Sequence, residues 1–491
     1  MSSEKDSYKQ IFKATSVFGG VQVFNILISI VKSKVVAVLL GPAGLGIISI
    51  FNSAVALIYN CTNFGINVSA VKSIAAVNNP ERPENAGKTI AIVQRLVWLT
   101  GLFSLIITVL FSNWLSKISF GDNSFTFSFM LIGLSLLALH VSSGQNAILQ
   151  GLRKIRSIAL SSLFGGLFGL LISIPLYYFY RKDGIVPSLV LSSLIGVMIS
   201  SYFVNREKVV SVKVNVEIVK REGIGMIKLG FLVSLASLFL SASTYLVRLF
   251  ISNFGDIADV GLYSAGFAII GTYVGMVFGA MSTDYYPSLS SIASNNDKCT
   301  EKVNHQILMA ITILAPMLTI LLIFIKFAVI LLYSVSFLPV IKLIQWATLG
   351  VFFQAFSWSI CFLFLAKNDS KIYFWNEFIP TIYTVFLNCA FYYHGGLEGL
   401  GISFLLSFIF YFVQVYIIAK KRYRFKLDRN IVKICGCQFL ICCIAFLVVY
   451  FLKTAFVYSI GIPLAVLSII VSLHTLEKKM GIIHIFKREK I

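Results

Sequence analysis

The sequence predicts an all-α membrane protein, and three observations carry that prediction. Hydrophobic residues make up 58% of the 491 residues and charged residues only 12%, with a mean hydropathy of +0.87. No water-soluble domain of this length tolerates such a balance. Apolar runs recur along the chain, and at about 20 residues for each helical span they predict about 14 transmembrane helices. Basic residues cluster between these runs, as they do in cytoplasmic loops.

The apolar runs divide the chain into two groups of six predicted helices and a terminal pair. The expected parts are an N-terminal six-helix lobe, a basic cytoplasmic linker, a second six-helix lobe, and a last part with a basic linker, a helical hairpin and the tail, at residues 1–205, 206–223, 224–419 and 420–491. In this division the second helix ends at Phe64, the seventh begins at Ile224 and the eighth ends at Met281.

The distribution of positive charge predicts the orientation. With the N-terminus inside, most of the 41 Lys and Arg residues fall in cytoplasmic loops, so both termini are expected in the cytoplasm of a multi-pass inner-membrane protein. The net charge of +21 is spread between the spans and is not gathered on one domain, which argues against nucleic-acid binding. No predicted outer loop is long enough to hold an independent active site.

The first apolar segment, Ile11–Leu40, carries two cations, Lys32 and Lys34. Hydrocarbon does not solvate an ammonium group, so a lysine within a span usually faces a partner or a water-filled cavity. The Gly-Pro pair that starts at Gly41 predicts that the helix ends there and the chain turns back.

Similar residues recur at a nearly constant distance, which predicts an internal duplication. The matched pairs are 216, 215 and 217 residues apart: Lys32 with Arg248, Gly46 with Gly261, and Lys154 with Lys371. Because each six-helix group starts on the inside, the repeats are expected to be parallel, related by an axis along the membrane normal.

Each repeat opens with a polar stripe that ends in a cation. Helical spacing places the members of each stripe on one face: Gln22, Asn25, Ser29 and Lys32 in the first helix, and Ser237, Ser241, Thr244 and Arg248 in the seventh. The stripes predict two walls of one hydrated cavity; the alternative is that the cations extend to the outer interface. Periodicity alone favours Lys32 over Lys34 for the cavity.

A cationic cavity predicts an anionic ligand, and a pyrophosphate suits it. Arginine offers two parallel donors to phosphate oxygens, and lysine adds a point charge. Lys72 after the second helix and Lys88 at the start of the third lie where an anionic headgroup would enter from the cytoplasm. Ordinary positive-inside loop charge explains these two residues equally well.

Acidic residues inside the spans are rarer. Glu377 and Asp284 are the candidates for coupling transport to a proton or sodium gradient. A structural salt bridge is the alternative for Glu377, and a helix cap at the membrane interface is the alternative for Asp284. His140 is interpreted as a packing histidine, and Glu398 as a helix cap. The eight cysteines lack the spacing of a metal site, and no cofactor is expected.

Six motifs in chain order resemble one known family over roughly Lys9–Lys420. They are LLGPAGLG from Leu39, NFGINVSAVKSIA from Asn63, GLRKIRSIALS from Gly151, VGLYS from Val260, YYPSLS from Tyr285 and LAKNDSKIYFWNEF from Leu365. Together they resemble the O-antigen and lipid III translocases, polysaccharide flippases of the multidrug/oligosaccharidyl-lipid/polysaccharide exporter superfamily.

The resemblance implies a MATE-like fold of two six-helix bundles that open alternately to each side. It implies a substrate of undecaprenyl-pyrophosphate-linked oligosaccharide, moved from the cytoplasmic to the periplasmic leaflet, with polysaccharide polymerase and chain-length machinery as possible partners. By motif position it assigns the family's basic residues to Lys34 and Arg248, and its acid to Glu377. Both Lys32 and Lys34 therefore stay candidates. The terminal hairpin lies outside the motifs, and a lipid-tail groove is one role for it.

Two other functions compete with this interpretation. A multidrug or cation antiporter on the same scaffold would favour acids over cations within the spans, the reverse of the pattern here. A membrane glycosyltransferase or polymerase would need clustered catalytic acids or a large outer loop, and the sequence offers neither.

Overall fold

A computed structural model describes residue 21 and residues 24–78, 83–207, 212, 214–452 and 454–480. Within these residues every regular element is a helix, which confirms the predicted fold class. The chain packs into two compact units, Met1–Gly261 and Leu262–Ile491. The division into lobes and linkers drawn from the sequence remains a prediction.

The first unit contains helices α1 to α9 and a short 3₁₀ turn, Arg181–Gly184, between α7 and α8. In order, the helices are 24–39 (α1), Gly41–Asn63 (α2), Ile66–Val77 (α3), Pro83–Leu110 (α4), Ser112–Phe120 (α5), Thr126–Gly151 (α6), Ile155–Tyr180 (α7), Ile185–Arg206 (α8) and Val216–Phe254 (α9). Its core lies where α3, α4, α6, α8 and α9 meet, around the fully buried Ile66, Ile74 and Val93.

Helix α10 begins at the end of the first unit and leads into the second, which continues to α16. The ranges are Ile257–Ser291 (α10), Asn296–Ile323 (α11), Ile325–Leu332 (α12), Ile341–Ala366 (α13), Ser370–Tyr423 (α14), Arg429–Phe451 (α15) and Thr454–Met480 (α16). A 3₁₀ turn, Val335–Val340, precedes α13. Helix α14 reverses at Gly396, whose φ of +54° is not helical, so its two arms form a hairpin.

Eleven segments of the described residues are long and apolar enough to cross a membrane. Two of them, Ile155–Arg206 and Lys371–Tyr423, are 52 and 53 residues long and each contain two antiparallel helices. Helix α1 is not among the eleven, because its described part, 24–39, is too short to cross a membrane alone. The earlier residues of its predicted span, apart from residue 21, lie outside the described residues. The fold is that of a multi-pass membrane protein, and the exact number of fourteen remains a prediction.

The predicted break after the first helix is confirmed. Gly41 adopts a φ of +66°, and α2 starts there with Pro42 in its first turn. Pro lacks an N–H and has a fixed φ, so it is tolerated in the first turn of a helix. Arg181 donates to the carbonyl of Leu39 at 3.1 Å, which provides a partner for a carbonyl at the end of α1.

The prediction of a helix start at Ile224 is wrong, because α9 begins eight residues earlier at Val216. Hydropathy did not identify this first part as helical because it contains several charged residues. The extension is nevertheless amphipathic, since Val219 is buried and Glu222 pairs with Lys88 of α4 at 2.8 Å. Further along, the backbones of Gly230 and Gly65 approach so closely that a Cβ on Gly65 would lie 2.0 Å from the Gly230 carbonyl oxygen.

The structure repeats its backbone geometry at an offset of 215 residues. Helices α6 and α13 are both 26 residues long and start 215 positions apart. Arg153 and Asn368 follow them with φ values of +59° and +57°. The reversals of the two hairpins also match, since Arg181 has φ and ψ of +51° and −127°, and Gly396 has +54° and −137°. The predicted duplication is therefore visible in the backbone.

One matched pair from the sequence is wrong. Letter identity aligned Lys154 with Lys371, but the turn geometry aligns it with Asp369, because Arg153 and Asn368 occupy the same turn. Lys154 pairs with Glu207 at 2.7 Å, and Asp369 pairs with Arg422 at 3.5 Å. Glu207 and Arg422 are also 215 residues apart, so the same ion pair closes both hairpins with its charges exchanged.

The terminal hairpin of α15 and α16 packs on α11 within the second unit. Gln438 holds its two helices together, because its amide donates to the Ser468 carbonyl and to the Ser472 hydroxyl at 3.1 and 2.9 Å. On the α11 side, a Cβ on Gly461 would lie 2.9 Å from the Ile323 side chain. The hairpin is an integral part of the unit.

Candidate functional site

The polar stripe of α1 is described in part. Gln22 lies outside the described residues. Asn25 donates to the Ser162 hydroxyl of α7 at 3.0 Å, and Lys32 and Lys34 are half-buried. At Asn25, its first described member, the stripe therefore contacts one polar side chain of α7. The assignment of a cationic substrate site to these residues remains a prediction.

The stripe of α9 has partly satisfied hydroxyls and a half-buried cation. Ser241 and Thr244 donate to their own helix, at the carbonyls of Leu238 and Leu240, both at distances under 3 Å. Arg248 is half-buried. A residue that the sequence argument missed, Asn60 of α2, donates to the carbonyl of Ser237 at 3.4 Å. The sequence signal that could have identified Asn60 is its position about one helical turn before Asn63, where the second of the six motifs begins.

The two candidate entry lysines have different surroundings. Lys72 is exposed on α3, a helix that follows a break at Phe64 and Gly65, where both residues have positive φ. Lys88 is held by Glu222, so its charge is already compensated. Lys72 is therefore the one of the two that still suits an entry role.

Glu377 lies in a compact polar cluster in the second unit. Its carboxylate accepts from the Tyr411 hydroxyl at 2.6 Å and from the Cys361 thiol at 3.2 Å. Next to it, Gln414 donates to the Asn376 side chain at 3.0 Å. Among the described residues Glu377 makes no salt bridge, so the salt-bridge alternative finds no support there.

Asp284 does not cap a helix. Helix α10 continues to Ser291, so Asp284 lies within it and its side chain is exposed. The sequence argument ended this helix too early because the polar Asp-Tyr-Tyr-Pro run resembles a terminus, and Pro287 is in fact accommodated inside the helix. Asp284 keeps its place as a coupling candidate only as a prediction.

The interpretation of Glu398 as a simple helix cap is incomplete. The carboxylate lies just after the Gly396 reversal and joins three helices. It pairs with Lys342 at 3.0 Å, and it accepts from the Trp346 indole at 3.1 Å and from the Tyr450 hydroxyl at 2.6 Å. Glu398 thereby links α13 and α14 to the terminal hairpin.

His140 lies in a polar cluster of the first unit, as a packing histidine should. Its two ring nitrogens meet the hydroxyls of Thr62 and Thr100 at 3.0 and 3.3 Å, and its ring lies 4.7 Å from that of Tyr59. The Tyr59 hydroxyl donates to Ser143 at 2.8 Å. Both ring nitrogens have partners and the side chain is buried, as the packing interpretation predicts.

Comparison with solved structures defines the class of protein. The fold is similar to that of lipid II flippase MurJ in its inward closed conformation, with a TM-score of 0.71 and 13% identity over 94% of this chain and 99% of that one. It is also similar to an inward-facing MATE multidrug resistance transporter of the MOP superfamily, with a TM-score of 0.67 and 14% identity over 82% and 94%. The chain is thus a multi-pass membrane protein with the MATE-like fold.

Sequence comparison then gives the family. The chain belongs to the polysaccharide biosynthesis protein family, whose profile matches residues 11–293. It is 22% identical over 398 residues to the lipid III flippase of Escherichia coli (strain K12), which covers 77% of this chain and 91% of that protein. The lipid III flippase of Shigella flexneri matches to the same extent.

Proposed function

We propose that the protein is a flippase for undecaprenyl-pyrophosphate-linked oligosaccharide, an O-antigen or related surface-polysaccharide unit, and that it is not an enzyme. Membership of the polysaccharide biosynthesis family carries this proposal. The relatives named lipid III flippases and the MATE-like fold support it. The proposed location is the inner membrane with both termini in the cytoplasm, and polymerase and chain-length proteins are the proposed partners.

In the proposed mechanism Lys32, Lys34 and Arg248 hold the pyrophosphate during its passage. Charged phosphate oxygens are costly to bury in hydrocarbon, and cations on α1 and α9 would replace their hydration. Asn25 and Gln22 would contact the sugars, and Lys72 would receive the headgroup on the cytoplasmic side. The polyprenyl chain would stay in lipid while the protein alternates between its two access states.

The proposed coupling residue is Glu377. Its carboxylate accepts hydrogen bonds from the Tyr411 hydroxyl and the Cys361 thiol, and no cation neutralises it within the described residues. A carboxylate with this surrounding is suited to exchange a proton or to bind sodium during the cycle. Asp284 is the second proposed coupling residue.

A flipping assay tests the anion site. Purified protein is reconstituted in liposomes with a lipid-linked oligosaccharide, and transfer between leaflets is followed by access of an added glycan-cleaving enzyme. We expect Arg248→Gln to lower flipping at least tenfold, and Lys32→Gln and Lys34→Gln to identify which lysine contributes. Arg156→Gln, at an exposed position of α7, is the matched control. A flipping rate equal to that of the wild type in a variant that combines Arg248→Gln, Lys32→Gln and Lys34→Gln would refute the anion site.

A multidrug antiporter is the second candidate, and the observation that favours it is that Glu377 has no ion pair within the described part of the chain. That function predicts efflux of cationic dyes that depends on Glu377 and is insensitive to Arg248→Gln. A flippase predicts the opposite dependence on Arg248. Dye efflux and glycolipid flipping measured on the same proteoliposomes would separate the two functions.

A further inference from the structure

A cavity of about 950 Å³ lies within the first unit, apart from the residues proposed to hold the substrate. Its walls come from α4, α6, α8 and the start of α9. The volume is in the range of about 300–1,000 Å³ that small-molecule sites occupy. The walls are mostly aliphatic, with contributions from Val97, Ile148 and Val204.

After the apolar residues that line its first turns, one face of α4 changes from polar to apolar along the cavity. Gln94 and Arg95 begin this stretch, Trp98 follows one turn later, and Leu99 and Leu102 complete it. With a rise of 1.5 Å for each residue, the step from Gln94 to Leu102 covers about 12 Å. A charged end, an interfacial aromatic ring and an aliphatic end in that order match the chemistry of a phospholipid from headgroup to acyl chain.

The charge of Arg95 is uncompensated within the described residues. Lys88, two turns earlier on α4, already pairs with Glu222, whereas Arg95 has no ion pair there. Gln145 on the opposite wall is occupied, because it donates to the Ser201 hydroxyl at 2.6 Å and accepts from Ser200. The guanidinium therefore gives the cavity a positive charge, which favours an anionic headgroup.

The apolar residues of the α4 wall are exposed. Trp98, Leu99 and Leu102 are 51%, 60% and 43% exposed, values that suit apolar side chains next to hydrocarbon. The positive-inside pattern places the beginning of α4 on the cytoplasmic side, where anionic lipids are enriched and basic pockets between helices bind their headgroups. A soluble anion would not need the aliphatic half of the cavity.

We infer that this cavity is a binding site for an anionic glycerophospholipid of the inner leaflet, with the phosphate on Arg95 and one acyl chain along Leu99 and Leu102. The site is separate from the proposed transport residues on α1 and α9. Bound lipid would fill the space between α4, α6 and the start of α9, and so would stabilise the first unit.

Native mass spectrometry of the full-length protein tests this inference. Detergent-purified protein is titrated with phosphatidylglycerol, and phosphatidylcholine with the same acyl chains serves as the comparison lipid. We expect phosphatidylglycerol to bind, and Arg95→Gln to weaken it about tenfold. Arg156→Gln, which removes an exposed arginine outside the cavity, should bind as the wild type does.

A second variant obstructs the cavity beside Arg95. Ala91→Phe places a ring one helical turn before Arg95 and should abolish binding while Arg95 is retained. Thermal unfolding without added lipid checks that each variant is folded. Equal binding of the two lipids, undiminished phosphatidylglycerol binding to folded Arg95→Gln, or Arg95-dependent binding of undecaprenyl phosphate that displaces phosphatidylglycerol would each overturn the inference. The flipping assay with Arg248→Gln tests the proposed function separately, because Arg248 does not line this cavity.

Discussion

At the scale of single residues, the partly buried carboxylate of Glu398 joins helices that are distant in sequence. It contacts Lys342, Trp346 and Tyr450, which lie on α13 and α15. Hydrogen bonds to a charged acceptor contribute about 1.5–3 kcal/mol each, and a partner left unsatisfied costs more. One carboxylate of α14 therefore links α13 to α15 of the terminal hairpin.

We expect Glu398→Ala to lower the midpoint of thermal unfolding by several degrees. The Lys342 ammonium and two aromatic donors would lose their common acceptor. Differential scanning fluorimetry in detergent measures the effect, and Glu301→Ala, at an exposed acid without an ion pair in the described residues, is the control. Equal midpoints for the two variants would show that the contacts of Glu398 are not stabilising.

The sequence identified Glu398 and Glu377 as unusual but could not give their partners. Hydropathy shows that a carboxylate lies within an apolar run, yet Tyr411 and Tyr450 are 34 and 52 residues away from the acids that they contact. Such contacts depend on how hairpins pack against each other. The spacing of residues in one sequence does not predict that packing. The same limit explains why Asn60 was missed.

At the scale of elements, two glycines determine a close helix contact. A Cβ on Gly46 would lie 1.9 Å from the carbonyl oxygen of Ile257, and a Cβ on Gly261 would lie 1.9 Å from that of Pro42. Each glycine thus abuts the residue four positions before the other, so the two approaches are reciprocal. The sequence argument paired these glycines as equivalent positions, and the structure adds that they meet.

Gly46→Ala and Gly261→Ala should each be destabilising, because the methyl group would overlap a backbone oxygen. A cost at or above the usual 1–3 kcal/mol of overpacking is expected, seen as loss of monodisperse protein in size-exclusion chromatography. Gly165→Ala is the control, since nothing lies within 4 Å of its Cβ position and alanine favours a helix by about 1 kcal/mol. Wild-type behaviour of both glycine variants would contradict the described contact.

The ion pairs at the open ends of the two hairpins suggest an experiment in which the two charges of one pair are exchanged. Lys154 pairs with Glu207, while the equivalent pair of Asp369 with Arg422 has its charges reversed. Lys154→Glu should lower stability by up to about 1 kcal/mol, and the double variant Lys154→Glu with Glu207→Lys should recover most of it. Thermal unfolding of the two variants gives the measurement. No recovery would mean that the pair is not the source of the loss.

This pair also predicts a response to acid. Burial acts to raise the pKa of Glu207, but hydrogen bonds from Lys154 and Ser157, together with the positive charges of Lys154 and Arg206, outweigh it, and the pKa is lowered overall. A carboxylate with a lowered pKa stabilises the folded state above the ordinary Glu pKa of about 4.3, and the gain is lost as the pH falls through the lowered value. The difference in unfolding midpoint between wild type and Glu207→Gln should therefore be constant near neutral pH and shrink below about pH 4.

At the scale of the whole molecule, the sequence predicted the helical class and the duplication well, because both follow from periodicity and apolar length. It misplaced elements where polar residues belong to a helix. The start of α9 at Val216 and the continuation of α10 to Ser291 are both of this kind. Charge pairing and a tolerated proline stabilise these ends, and neither is visible in hydropathy.

The repeat makes a prediction about sidedness that does not depend on any site residue. The turns at Arg153 and Asn368 are equivalent, and so are the reversals at Arg181 and Gly396. An even number of predicted spans separates the members of each pair, so both members must lie on the same side of the membrane. The positive-inside rule places the first pair in the cytoplasm and the second outside. Green fluorescent protein fused after Arg153 or Asn368 should fluoresce, and alkaline phosphatase fused after Arg181 or Gly396 should be active. Opposite behaviour within either pair would show that the repeats are not parallel, and would remove the basis for treating α1 and α9 as matching walls.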